Sequence, residues 1–313
     1  MRNQSYPLAT SCLLTLISLF ALTGCTKMST QAQAAKAAVA PPPPLQYVDA
    51  WGMKGSEPGH LDQPTDIAVD ALGNIFISDA GSHFVHKFAP QGTPLLSFQD
   101  DWIKLPTAIA VDRGGGIYTA DPARNSVSIF FPGGDRYRDF RLRTRTNAED
   151  QLGVAVSDDG MVFVLDANSG EVFAYSPGFR LVRSWRPFAS GRPSAIASGP
   201  DGYIYVLNAT ESRVIRFTHD GHPVSEISAH PAGANRRLGD QLAVSNGYVF
   251  LMDGDGLTLH VFTSDGKPKL DADLSPQLGQ ANRFVPPLAV SPRHELFVLD
   301  APDARVLRYH LNF

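Results

Sequence analysis

Cysteine is almost absent: the 313 residues hold two, Cys12 and Cys25, both within the first 25 positions. The body that follows has no thiol, which excludes a disulfide framework, a thiolate metal centre and a cysteine nucleophile there. Net charge is small as well. A formal value of −4 with pI near 6.1 argues against a globally basic nucleic-acid binder and leaves room only for a local basic face. Long apolar runs are missing, because residues 8–22 are too short and too weakly flanked to span a membrane. There is no Gly-x-Ser-x-Gly elbow, phosphate loop or Cys-x-x-Cys pair. What is present is a chain of 43% apolar content, long enough to bury a large core in one big domain or two smaller ones.

The N-terminus reads as a targeting segment. Arg2 is its one charge, and the apolar stretch ends in Leu22-Thr23-Gly24-Cys25, which resembles the bacterial lipobox. The resemblance implies a signal peptide over residues 1–24 and diacylation of Cys25. Losing Arg2 with the leader takes the net charge from −4 to −5. Residues 25–45 then form an alanine-rich tether ending in Pro41-Pro42-Pro43-Pro44, a stiff spacer that buries nothing. Acyl chains contribute about 0.8 kcal/mol per buried methylene, so two or three anchor a protein stably. Thr26, rather than aspartate, follows the cysteine; by resemblance to Gram-negative lipoproteins this implies the outer membrane, facing the periplasm or exterior.

From residue 46 onward the chain repeats. Aligned on the alanine of a first strand, the copies start at Ala68, Ala110, Ala155, Ala197, Ala243 and Ala289. An aromatic recurs at one register of the second strand: Phe76, Tyr118, Phe163, Tyr205, Phe250 and Phe297. Three residues on stand Asp79, Asp121, Asp166, Asn208, Asp253 and Asp300, and each third strand ends in an aromatic such as Phe88 or Phe130. Short strands in units of about 40–45 residues predict four-stranded blades packed radially. Alanine suits the crowded axis, and aromatics fill the widening wedge between sheets. Fourth strands follow five copies, whereas the sixth lacks one. The spare strand at residues 46–51 is therefore expected to complete the last blade and remove an open edge. The fold class is all-β, a six-bladed β-propeller over residues 46–313.

The run Pro-Thr-Asp-Ile-Ala-Val-Asp, Gly-Asn-Ile-Phe-Ile-Ser-Asp, Ser-His-Phe-Val-His-Lys-Phe in residues 64–88 resembles the NHL repeat, which builds six-bladed propellers. Such scaffolds host binding proteins and some enzymes, so function has to come from a site. A carboxylate repeated in every blade is read as a turn cap, a job Asn208 does equally well. The inward position two residues before each alanine is Asp66, Ala108, Gly153, Ala195, Gln241 and Pro287, and four of these cannot ligate anything. Propellers similar to this one that act as amidating lyases hold zinc with channel histidines, and gluconolactonase-like ones hold calcium with several oxygen ligands. Asp66 and Gln241 fall short of either set. No metal or other cofactor is expected. His83 and His86, and His219 and His222, read as solvated strand or turn residues.

What remains is the set of irregular loops joining one blade to the next on one face. They carry Arg141, Arg143, Arg145, Arg236, Arg237 and Arg283, with Trp102 as an aromatic platform. Such a face suits an anionic or carboxylate-bearing partner. The expectation is a monomeric, membrane-tethered, non-catalytic binding scaffold for an envelope protein, peptide or polysaccharide. The alternative is a periplasmic hydrolase or lyase with a divergent channel site. Export and lipidation argue against nucleic acid as a partner.

Overall fold

The second strand of every repeat is buried along its whole length or nearly so, and the six aromatics at its centre, Phe76, Tyr118, Phe163, Tyr205, Phe250 and Phe297, are at most 6% exposed. A strand covered on both faces lies in a sheet packed between two others, which is the geometry of a propeller blade. The computed structural model describes residues 41–144, 146–147, 150–229, 237–279 and 284–313. Cys25 and most of the tether lie outside them, as do Arg145, Arg236 and Arg283. Among the described residues no helix is long and apolar enough to cross a membrane.

The chain enters through β1 (Leu45–Trp51). Blade 1 is β2 (Pro64–Val69), β3 (Ile75–Asp79), β4 (Phe84–Phe88) and β5 (Pro94–Gln99). Blade 2 is β6 (Ala108–Val111), β7 (Ile117–Asp121), β8 (Ser126–Phe130) and β9 (Arg136–Arg141). Blade 3 is β10 (Leu152–Val156), β11 (Val162–Asp166), β12 (Glu171–Tyr175) and β13 (Leu181–Trp185). Blade 4 is β14 (Ala195–Ser198), β15 (Ile204–Asn208), β16 (Arg213–Phe217) and β17 (Pro223–Ser228). Blade 5 is β18 (Leu238–Ser245), β19 (Tyr248–Asp253), β20 (Thr258–Thr263) and β21 (Pro268–Asp273), followed by the single turn α1 (Ser275–Leu278). Blade 6 is β22 (Leu288–Val290), β23 (Glu295–Asp300) and β24 (Arg305–Leu311), with β1 as its outermost strand.

All strands within a blade pair antiparallel, and the innermost strands neighbour one another in the order β2, β6, β10, β14, β18, β22 and back to β2. The ring closes as the spare strand implies. β1 runs antiparallel to β24, from Leu45 opposite Leu311 to Trp51 opposite Val306. Arg308 fixes the register by reaching Asp49 with two donors, at 3.0 and 2.5 Å. The fifth copy, the least regular in sequence, has the corresponding defect: the pairing of β18 with β19 breaks between Leu238 and Leu242.

Neighbouring blades lock through one repeated contact. An aromatic on the outer strand of one blade packs on the last aromatic of the third strand of the next: Trp51 on Phe88 at 5.0 Å, Phe98 on Phe130 at 5.0 Å, Phe140 on Tyr175 at 4.6 Å and Trp185 on Phe217 at 6.0 Å. Trp51 and Phe98 also lie directly over the turn glycines Gly92 and Gly134, whose φ values are 84° and 90°. A Cβ at either glycine would collide with the ring above it, so the seat requires glycine for space as well as for backbone conformation.

Candidate functional site

The six inner strands enclose a central channel of about 270 Å³, lined by all six repeat alanines together with Asp66, Asp240 and Gln241. Asp66 bridges two blades. Its Oδ1 accepts the N–H of Ile67 at 2.8 Å and its Oδ2 accepts the N–H of Ile109, on the inner strand of blade 2, at 2.9 Å. These donors point into the channel because an innermost strand has no further strand to pair with, and the carboxyl caps one from each blade. Burial pushes the Asp66 carboxyl up to about 7, the two N–H donors oppose the shift, and Asp240 adds to it. Gln241 turns toward Asp240, its Nε2 donating to Oδ1 at 3.4 Å.

The raised value has a sign. Folding takes up a proton at Asp66 between the ordinary aspartate range and about pH 7, so its contribution to stability is full at the acidic end and is lost as pH rises through that window. The carboxyl carbon resonance of Asp66 is expected to titrate with a midpoint near 7. A midpoint at an ordinary aspartate value would mean that the channel is as well solvated as bulk water.

The repeated carboxylates cap turns, and they also pin the loop arriving from the preceding blade. Asp79 Oδ1 accepts from Gly81 and Ser82 at 3.0 Å each and from Gln63 at 3.1 Å, while Oδ2 accepts from Asp62 at 2.7 Å. Asp121 repeats the pattern with Lys104 at 2.7 Å, Leu105 at 2.9 Å and Arg124 at 3.2 Å. Asn208 keeps the turn bond from Glu211 at 3.1 Å and uses its amide to donate to Ser190 O at 3.4 Å. All six side chains are buried. They are scaffold, and they fix the roots of the long loops.

On that long-loop face the stretch Arg141-Leu142-Arg143 alternates as strand-like backbone does. Leu142 is buried in the core between blades 2 and 3, and its N–H donates to Asn125 O at 2.9 Å, while Arg141 and Arg143 project outward. Neither arginine makes an ion pair among the described residues. Arg237 is exposed at the start of blade 5. Trp102 does not stand free as a platform. Arg124 and Arg136 lie over its ring, at 4.8 and 5.2 Å from the centroid, and Arg124 also donates to Asp101 O. Beside it lies an open cleft of about 440 Å³ lined by His83, Gln99, Asp100, Asp101, Ile103 and Lys104.

His83 and His222 are exposed as expected, whereas His219 is half-buried, its ring 5.3 Å from that of Phe163 and its Nδ1 3.2 Å from Asp159. His86 is fully buried, not solvated, because the third strand of a blade is covered on both faces. Its Nδ1 lies 2.9 Å from Ser97 Oγ, and burial lowers its pKa to about 4, with His60 adding to the shift and Asp79 opposing it. His260 holds the same register in blade 5, opposite Leu251 as His86 is opposite Ile77, and its Nδ1 lies 2.7 Å from Asp271 Oδ1. Periodicity marked neither, since alternation along a strand signals solvent only when one face is open.

Residues 61–88 match the model of the NHL repeat. The fold is a six-bladed β-propeller whose first blade carries an NHL repeat. No curated protein sequence matches it. Among solved structures, the propeller is similar to a streptogramin B lyase at 13% identity and TM-score 0.63, over 84% of this chain and 98% of the other. A catalytically inactive virginiamycin B lyase from Staphylococcus aureus with quinupristin aligns at 11% identity and TM-score 0.58, over 79% of this chain and 80% of that one. The β-propeller domain of Cps50 (Swd1) from Myceliophteria thermophila aligns at 11% identity and TM-score 0.61, over 86% and 100%. At such identities the likeness is one of fold.

Proposed function

We propose that this propeller is a non-catalytic binding scaffold, tethered to a bacterial envelope membrane through lipidated Cys25, which takes a carboxylate-bearing protein, peptide or polysaccharide on its long-loop face. The observation that carries the reading is Arg141-Leu142-Arg143. The leucine anchors the segment in the core, and the two guanidinium groups are held outward without an ion pair among the described residues. Arginine side chains in that state keep their forked donors available for a carboxylate. The variant carrying Arg141→Ser and Arg143→Ser is expected to fold like the parent by circular dichroism. In crosslinking pull-downs from intact cells it should lose at least about 90% of the captured partner, since two charge-assisted contacts of about 1.5–3 kcal/mol each disappear. Full recovery of the same partner would overturn the reading.

A second reading, a periplasmic hydrolase or lyase, rests on Asp66. A channel carboxyl pushed up to about 7 is matched to general acid–base work at neutral pH, and its neighbours Asp240 and Gln241 are polar. The two solved lyases of like fold add to its interest. The binding scaffold is preferred because Asp66 already spends both oxygens on the backbone of two blades.

A further inference from the structure

The turn between the third and fourth strands follows one plan in four blades. Its fourth residue is Gly92, Gly134, Gly221 or Gly266, at positive φ, and donates its N–H to the residue three before it. Blade 3 breaks the plan. Phe179 occupies the position at φ 60°, and its N–H donates to Ser176 O at 2.7 Å. A bulky residue in the left-handed region is costly, and glycine in four other blades shows that the fold does not need it.

What Phe179 adds is an aromatic surface. Its ring stacks on Phe140 at 5.6 Å and 14°, then meets Tyr137 edge-on at 6.2 Å, and Tyr137 meets Phe131 at 5.0 Å. The array runs from the seam between blades 2 and 3 out to solvent, where Tyr137 is 54% and Phe131 50% exposed. Arg138 lies over Phe179 at 5.8 Å, and Arg180 next to it is exposed. The two segments that build this rim, 131–140 and 176–186, hold five arginines and two aspartates, a net +3 in a chain of −4. β9 supplies the remaining element: it pairs with β8 on one side, and its other backbone edge faces outward.

We propose that this rim takes an extended acidic peptide segment, added as a fifth strand along β9, with an apolar side chain against Tyr137 and Phe179 and carboxylates met by Arg138 and Arg180. The proposal rests on the binding-scaffold part of the reading above and assigns it a surface of its own, separate from the long-loop face. An edge strand that only needed protection from aggregation would be served by its arginines alone, without half-exposed rings beside them. A lipid headgroup or a phosphate chain would use the charge but not the alternating N–H and C=O of a strand edge, whereas strand addition uses backbone, side-chain seats and charge together. The six residues of β9 span about 20 Å, enough for a segment of comparable length.

The test is selection of phage-displayed peptides of about eight residues on the folded domain, with the leading peptide then titrated by fluorescence anisotropy. The key variant is Phe179→Gly, which installs the residue four other blades carry and is expected to melt close to the parent. Acidic, strand-forming peptides should be enriched. Their affinity should fall at least about tenfold in Phe179→Gly and in Arg138→Ser, and hydrogen exchange of the β9 amides should slow on binding. Absence of an acidic consensus overturns the proposal. So does binding within roughly twofold of the parent by Phe179→Gly, or undiminished binding by a peptide with proline at its centre, which would show charge acting alone. Equal binding by vesicles of anionic phospholipid, competing with the peptide, would overturn it in favour of a membrane surface. The readings separate cleanly. Loss in the Arg141→Ser, Arg143→Ser variant with Phe179→Gly intact rejects strand addition and leaves the long-loop face standing, and the converse rejects the long-loop face.

Discussion

Deleting residues 46–51 is expected to abolish cooperative unfolding of the propeller. The strand they form is the outermost of blade 6, and three kinds of interaction leave with it. β24 loses the partner to which it is paired between His310 and Val306, exposing its backbone edge. Arg308 loses the bidentate contact to Asp49 and, among the described residues, is left with the weaker ion pair to Glu295 at 3.6 Å. Trp51 leaves its place over Gly92 and against Phe88, so the damage passes into blade 1. Net backbone hydrogen bonds contribute about 1 kcal/mol each, and truncating a large aromatic costs up to about 3–5 kcal/mol. Together these approach the whole stability of a typical domain, about 5–15 kcal/mol. Calorimetry should show a broad, weak transition in place of a sharp one. A truncated protein that melted cooperatively at the parent temperature would refute the closure.

Closure was legible because Tyr47-Val48-Asp49-Ala50-Trp51 echoes the outer strand ending at Trp185, and both tryptophans indeed pack on a third-strand aromatic of the next blade. The same holds for the alanines and second-strand aromatics, whose spacing reports local strand register. What stayed hidden depends on partners far along the chain. Asp79 was recognisable as a turn cap from its recurrence in every blade, but its bonds to Asp62 and Gln63 join residues 17 and 16 positions away. Trp102 reads as an open platform until Arg124 and Arg136 arrive from blade 2 to cover it. His83 and His86 read alike as solvated residues, yet His83 is exposed and His86 is enclosed, since the third strand of a blade is covered on both faces. Phe179 is the instructive case: aligning the turns of blades 1 to 5 places it opposite Gly92, Gly134, Gly221 and Gly266, so the departure was in the sequence, while its cost and the aromatic array it builds required the backbone angle.

Phe76→Ala carries the second large effect. Phe76 is 0% exposed, stands between Ala68 on β2 and Lys87 on β4, and belongs to the cluster of Val85, Ile103, Ile109, Ile117 and Phe130 that joins blade 1 to blade 2. The small alanine beside it toward the axis has nothing to extend into the space, and Ile109 and Ile117 are fixed in the next sheet, so the vacated volume persists as a cavity. Lys87 loses as well. Its Nζ lies 4.9 Å from the Phe76 ring centroid and 3.9 Å from Asp70, and without the ring the ammonium keeps Asp70 beside an apolar void. The expected cost is about 3–5 kcal/mol, a fall in Tm on the order of 10 °C for a chain of this size. Phe76→Leu, which refills most of the volume, should recover the larger part of it. Because every blade repeats this aromatic, Phe163→Ala and Phe297→Ala, also at 0% exposure, should fall in the same range. A Phe76→Ala protein that unfolded at the parent temperature would mean that the wedge between blades 1 and 2 collapses around the smaller side chain, and that these aromatics do not set the spacing of the sheets.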